Sequence, residues 1–152
     1  MDPRLVWRWL CWDELSTDLL YRLLRLRSEV FVVEQACAFQ DLDGLDPRCE
    51  HLCGCDAAGD LLAYARLLPP GLKYPEASLG RLVTAPGVRR TGLGRELMRQ
   101  ALDGCRRRYP DQPLRIGAQQ RLERFYAGFG FAAVAAPYLE DGIVHVDMLR
   151  QG

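Results

Sequence analysis

Residues 79–95 read LGRLVTAPGVRRTGLGR and carry the most informative pattern of the chain. Residues 79–84 predict a strand, the turn at residues 85–87 ends it, and residues 92–108 predict an amphipathic helix. The first N–H groups of a helix have no intrahelical partner, and the helix dipole favours negative charge there. Glycines in the turn let the backbone approach an anion closely. The stretch therefore predicts a phosphate site where a strand turns into a helix.

Segments on both sides of this stretch continue an alternation of strands and helices. Residues 57–60 favour a hairpin between two of the strands. Helices are predicted from Ser16 or Thr17, as N-cap, to near Val33, and over residues 122–129. Strands are predicted at residues 6–10, 51–55, 61–68, 114–118, 131–134 and 144–149. This order indicates an α/β (α+β) fold, a mixed and partly antiparallel sheet flanked by helices, in a single domain over residues 1–152.

Length and charge narrow the function classes. A chain of 152 residues with 49% hydrophobic residues can bury a full core. Twenty basic and twenty acidic residues leave a net charge of zero, so nucleic acid and anionic membranes are not expected partners. The beginning, MDPRL, is unlike a signal peptide, and no apolar run approaches a membrane span. We expect a cytoplasmic protein whose six cysteines are mostly reduced.

Two other phosphate motifs fail on this turn. Gly87 and Gly92 have the P-loop spacing, but the Lys-Ser/Thr pair that should follow is absent. A dinucleotide fingerprint would need a third glycine where Leu97 lies. Arg89, Arg90 and Arg95 add local cations, although a helix start with solvated arginines would read the same way.

Residues 89–94, RRTGLG, resemble the pyrophosphate signature of the GNAT acyltransferases, Gln/Arg-x-x-Gly-x-Gly/Ala. Residues 120–131, with Phe125-Tyr126 and Gly130-Phe131, are similar to the Asn-x5-Tyr-x3-Gly-Phe segment of the same family, with Gln120 in place of asparagine. Residues 29–35, residues 41–44 with His51, and residues 138–145 resemble the ElaA-like branch. The resemblance thus extends over nearly the whole chain.

The resemblance implies acetyl-CoA as acyl donor and no metal. The implied binding residues are Leu82, Val83, Arg89, Arg90, Thr91, Gly92, Leu93, Gly94 and Gln120. The strand at residues 82–84 would pair with pantetheine, and the Val83 N–H would stabilise the thioester oxyanion. Tyr126 would act as the general acid at the departing sulfur. The alternative interpretation of Tyr126 is an aromatic side chain that packs in the core.

The general base is less defined, because six residues fall in segments that match the branch. An alkyl ammonium has a pKa of about 10, so a group must remove or relay a proton. Asp43-Gly44 is also good turn chemistry, and His51 is also suited to a semi-buried position in a strand. We rank Glu34 and His51 first. All six candidates are Glu34, Asp41, Asp43, His51, Glu140 and His145.

A zinc site is disfavoured although Cys49, His51, Cys53 and Cys55 alternate along the chain. Neighbours on one face of a strand lie about 6.7 Å apart, too far for one ion to gather four ligands at about 2.3 Å. Small buried thiols explain the pattern better.

Two function classes remain open. The first is an N-acetyltransferase that acts on a small-molecule or peptide amine by direct attack on the thioester, and the second is a non-catalytic acyl-CoA sensor. We expect the acceptor pocket to be built from the loops at residues 34–50 and 69–78. The acceptor, the acyl chain and the oligomeric state, a homodimer included, stay open.

Overall fold

The computed structural model describes residues 4–152; Met1, Asp2 and Pro3, which carry most of the signal-peptide argument, lie outside them. The strands are β1 Val6–Cys11, β2 Glu50–Cys55, β3 Leu61–Leu68, β4 Ala77–Thr84, β5 Leu114–Gln119, β6 Ala132–Ala133, β7 Tyr138–Glu140 and β8 Ile143–Arg150. They form one eight-stranded sheet in the order β1-β2-β3-β4-β5-β8-β6, with β7 paired to β8. All its strand pairs are antiparallel except β4–β5, so the predicted mixed, partly antiparallel sheet is confirmed.

The helices follow the predicted positions closely. They are α1 Thr17–Arg27, α2 Leu93–Arg108 and α3 Glu123–Ala127. Ser16 caps α1 by accepting a hydrogen bond from the N–H of Leu19. After α1 the chain continues as a π-helical segment, Ser28–Glu34, so helical backbone reaches the end that the sequence predicts. The short strand β7 was missed, because Leu139 and Glu140 are both exposed and leave no alternation to detect.

Helices cover both faces of the sheet. Successive side chains of a strand point to opposite faces, and both faces carry buried apolar residues. Ala63, Ala65 and Leu67 of β3 contact the core under α2, whereas Tyr64 faces the core under α1. α2 approaches β1 closely at Gly104, where a Cβ would lie 2.4 Å from the Trp9 ring. Across residues 4–152, no helix combines the length and apolar character needed to cross a membrane.

The sheet opens between β4 and β5. These strands pair only at Ala77–Leu114 and Ser78–Arg115 and then separate. The register of β3 against β4 also shifts next to the opening, so that Arg81 and Leu82 together oppose a single residue of β3. Such a bulge bends its strand, and Arg81 has a φ of 53° there. The bulge and the short parallel pairing leave a gap in the middle of the sheet.

Candidate active site

A cavity of about 520 Å³ occupies the gap between β4 and β5. Residues 79–84 form one wall, and Ile116, Gly117 and Gln119 of β5 form the other. The start of α2 and the aromatic pair Phe125-Tyr126 also line it. Further lining residues come from the loop after the π-helical segment and from the β7–β8 hairpin. The cavity thus connects the predicted phosphate turn with the predicted general acid.

The glycine turn has the shape of an anion cradle. Arg90 has a φ of 64° and Gly92, the N-cap of α2, has a φ of 86°. The Thr91 hydroxyl donates to the carbonyl of Val88 at 2.6 Å and holds the turn together. A Cβ on Gly92 or Gly94 would meet nothing within 4 Å, so the space in front of the helix N-terminus is open.

Eight of the nine predicted binding residues divide into two groups. Leu82, Val83, Arg89 and Gly94 line the cavity. The four turn residues 90–93 do not line it, although they shape the backbone around it.

Gln120 lies outside the cavity and is exposed, whereas the preceding residue, Gln119, lines it. Gln119 exchanges side-chain hydrogen bonds with Gln35 at 3.1 and 3.5 Å. The alternation of β5, with Leu114, Ile116 and Ala118 buried, indicates that residue 119 points to the opposite face. That alternation could have identified Gln119.

Tyr126 lines the cavity with a side chain that is nearly buried. Its ring packs edge-on against Phe125 and Phe131, with ring centroids 5.4 and 6.1 Å away. Burial raises the pKa of the Tyr126 phenol to about 12, which Arg121 partly opposes. The phenol therefore keeps its proton near neutral pH and can donate a hydrogen bond into the cavity. Both the packing role and the functional role are compatible with this position.

Glu34 and Arg89 form an ion pair at the rim of the cavity. The guanidinium donates to the two carboxylate oxygens at 2.9 and 2.5 Å, and both side chains are exposed. The hydrogen bond from Arg89 lowers the pKa of Glu34. A carboxylate with a lowered pKa is a weaker proton acceptor, which disfavours the predicted base role of Glu34.

His51 is not brought to the cavity. It lies on β2, the strand between β1 and β3, and its fully buried ring has both nitrogens hydrogen-bonded. Nε2 lies 3.0 Å from the Asp46 carbonyl and must donate, so Nδ1 accepts from the Tyr64 hydroxyl at 2.6 Å. Burial lowers the pKa of His51 and keeps it neutral. The imidazole predicted as a base is part of the core.

Asp41 and Asp43 belong to a buried charge cluster, which we define as Arg27, Asp41, Asp43, Asp46, Arg66 and Arg81. Arg27 donates to Asp41 at 2.9 Å and to Asp46 at 2.8 Å. Arg66 contacts Asp43 and Asp46, and Arg81 donates to Asp41 at 2.7 Å. Burial opposes ionisation of Asp43, but hydrogen bonds from Arg66 outweigh it and lower its pKa. Three cations and three anions thus fasten the loop after the π-helical segment to the bulge of β4.

The thiols near His51 are reduced and protonated. Cys49 and Cys53 are buried, and burial raises their pKa values to about 11 and about 12. Within residues 4–152, no three His, Cys, Asp or Glu side chains come together as metal ligands would.

The acceptor pocket was predicted from two loops, and only the first of them lines the cavity. Residues 34–39 of the first predicted loop contribute, but residues 69–78 do not line the cavity. Glu76 of that second loop instead pairs with Arg115 at 2.9 Å. The β7–β8 hairpin takes its place with Glu140, Asp141, Ile143 and His145. The Cys37 thiol donates to the Asp141 carbonyl at 3.2 Å and joins the two sides.

Comparison with known proteins agrees with this architecture. Residues 45–151 match the sequence profile of an acetyltransferase (GNAT) domain. A UPF0039 protein of Synechocystis is 43% identical over 94% of this chain and 93% of its own length. Protein ElaA of Escherichia coli K12 is 41% identical over 95% of both chains.

Solved structures give the same result at the level of the fold. An acyl-CoA N-acyltransferase from Pseudomonas aeruginosa superposes with a TM-score of 0.90 at 42% identity, over 96% of this chain and 99% of the other. The crystal structure of Escherichia coli ElaA also gives 0.90, at 40% identity over 97% and 99%. The opened sheet, the glycine turn and the cavity between β4 and β5 are therefore those of an acyltransferase fold, and the chain belongs to the ElaA-like branch of the GNAT acetyltransferase family.

Proposed function

We propose that this protein transfers an acetyl group from acetyl-CoA to an amine by direct attack on the thioester. The observation that carries the proposal is the single cavity that joins the N-terminus of α2, the separated edge of β4 and the Tyr126 side chain. GNAT membership supports an acyl-CoA donor in general. The acetyl group, the amine and the roles of individual residues belong to the proposal.

The residues present fit a CoA molecule. The open space in front of Gly92 and Gly94 accommodates phosphate oxygens next to backbone N–H groups at the start of α2. Arg89 is at the rim, where its guanidinium can exchange Glu34 for a phosphate. Beyond Ser78, β4 no longer pairs with β5, so its residues 79–84 have a free edge facing the cavity. A pantetheine arm is an amide chain that this edge can hydrogen-bond.

The chemistry needs three contributions from the chain. Acetyl-CoA supplies an activated carbonyl and a thiolate leaving group. A backbone N–H on the free edge of β4 would stabilise negative charge on the carbonyl oxygen. The N–H of Val83, which the sequence predicted for this role, faces β3 instead, because the Ala85 N–H donates to the Leu62 carbonyl at 2.8 Å and N–H directions alternate along a strand. The Tyr126 phenol would donate a hydrogen bond to the departing sulfur, since a pKa of about 12 makes full proton transfer to a thiolate unfavourable.

Thiol release in the presence of a panel of amines and amino-terminal peptides tests the proposal. We expect acetyl-CoA to give free CoA thiol at a rate that depends on the amine, with the N-acetyl product detected by mass spectrometry. Acetyl-CoA binding without release by any amine of the panel would contradict catalysis. That result would indicate the sensor instead.

A further inference from the structure

We propose that His145 is the general base of the acetyl transfer; this inference rests on the proposed function. His145 lies on β8 and lines the same cavity as Tyr126. Its side chain is 13% exposed, so the ring is held by protein on most sides and still reaches solvent.

The contacts of His145 define which nitrogen can accept a proton. Nδ1 lies 2.8 Å from the carbonyl oxygen of Ile143, and a carbonyl can only accept, so Nδ1 carries the hydrogen. In the neutral ring Nε2 is then the bare nitrogen. The nearest carboxylate to it is Glu140, with an oxygen 3.8 Å away. At this distance the carboxylate makes no hydrogen bond to Nε2 of the neutral ring, but its negative charge stabilises the imidazolium once the proton has arrived.

Stacking against a second aromatic ring also fixes the orientation of the His145 ring. Tyr138 of β7 stacks on His145 with ring centroids 5.9 Å apart. The Tyr138 hydroxyl donates to Asp147 at 2.7 Å, and Asp147 also accepts from Arg115 at 3.2 Å. The imidazole is therefore oriented by stacking, by the Ile143 carbonyl and by a second layer of hydrogen bonds. A positioned base of this kind needs no rearrangement before it acts.

The other candidates are occupied elsewhere. His51 is buried outside the cavity, and Asp41 and Asp43 are bound by arginines of the buried charge cluster. Glu34 is held by Arg89. Among the six sequence candidates, His145 and Glu140 alone line the cavity without an arginine partner within residues 4–152. Of these two, His145 has its Nδ1–H held by the Ile143 carbonyl and its Nε2 free of a hydrogen-bond partner, which is the arrangement that a general base needs.

The proton balance of the reaction is complete with these groups. Nε2 of His145 accepts one proton from the ammonium, and the freed nitrogen lone pair forms the C–N bond as the C–S bond breaks. The second N–H proton reaches the sulfur through solvent, while Tyr126 donates a hydrogen bond to it. The imidazolium returns its proton to water through its exposed edge. One ammonium ion and one thioester thus give one amide, one thiol and one proton.

Two measurements test the inference. The first uses the alkyl amine with the highest rate of thiol release and the variants His145→Gln and His145→Asn. We expect kcat/KM for the amine to fall at least about 100-fold in both, because general bases contribute in that range. The affinity for acetyl-CoA, measured by calorimetry, should stay unchanged. Leu139→Gln is the matched control on the same hairpin, since Leu139 is exposed and outside the cavity, and it should keep the wild-type rate.

The second measurement is independent of turnover and of whether a variant folds. The chain has two histidines, so nitrogen-15 NMR of the wild-type protein resolves both rings. We expect the Nδ1–H tautomer for His145 and the Nε2–H tautomer for His51. An Nε2–H tautomer at His145, or a folded His145 variant with wild-type kcat/KM, would overturn the inference alone. Absence of amine-dependent release in the wild-type protein would overturn the proposed function and the inference with it.

Discussion

Arg27 and Arg89 both contact carboxylates through bidentate geometry, but their surroundings are opposite. Arg27 is fully buried, and its guanidinium forms ion pairs with the buried carboxylates of Asp41 and Asp46. Arg89 lies at the cavity rim with a single exposed partner, Glu34. A buried guanidinium without partners would lower the stability of the folded state, so the cluster around Arg27 stays intact in the folded protein. An exposed pair is weak and can be replaced by a ligand, which is what a binding site requires.

The largest effect is expected from breaking the buried charge cluster. Arg27→Met leaves Asp41 and Asp46 buried with fewer partners, and should lower the free energy of unfolding by about 3 kcal/mol or more. Arg22 on the same helix contacts Asp18 and Asp60 at the surface and provides the matched control. Denaturant titration of Arg22→Met should give a far smaller change. Equal losses in the two variants would refute the distinction between buried and exposed pairs.

On the cavity side, Tyr126→Phe should affect rate and not stability. Removal of the hydroxyl should lower kcat by about 100-fold at saturating acetyl-CoA, within the range for general acids. The ring stays, so packing against Phe125 and Phe131 and the affinity for acetyl-CoA should persist. The comparison needs an amine that supports turnover and conditions in which chemistry limits the rate. A folded variant with wild-type kcat would assign Tyr126 to the core only.

The smallest expected effect is a loss of stability as the pH is lowered. His51, Asp43 and Asp46 have lowered pKa values in the folded protein, so unfolding takes up protons and stability falls as pH falls. The loss should begin below the ordinary histidine value of 6.5 and continue below the aspartate value of 3.8. Thermal unfolding at pH 7.5, 5.5 and 4 measures it. His51→Gln should flatten the first part of the profile. A melting temperature that rises between pH 7.5 and 5.5 would contradict the burial of a neutral His51.

The fold was largely predictable because its signals are local. Amphipathic spacing, the Ser16 cap and the turn at residues 85–87 each indicated an element that the structure contains. The strand β7 escaped because it has no buried alternation. The bulge at Arg81 also escaped, since a strand sequence does not show where its neighbour shifts register.

The site could be predicted only where residues that are consecutive in the sequence form it. The glycine turn lies within six consecutive residues, so its sequence suffices to place it. The general base depends on which loops meet at the cavity, and here the β7–β8 hairpin replaces residues 69–78. His51 was ranked as a base because it lies in a segment that resembles the ElaA-like branch. Its burial and its hydrogen bonds with Asp46 and Tyr64, which contradict that role, arise only in the folded chain.

Calorimetric titration of acetyl-CoA into Gly94→Asp measures whether the glycine turn binds the phosphates of CoA. Gly94 has ordinary helical backbone and open space where a side chain would go, and a carboxylate in the first turn suits the helix dipole, so the variant should fold. Gly87→Asp adds the same charge nearby, at an exposed position that does not line the cavity. We predict that Gly94→Asp weakens binding at least about 10-fold, a change of about 1.4 kcal/mol, while Gly87→Asp binds like the wild-type protein. Unchanged affinity in a folded Gly94→Asp protein would contradict the account.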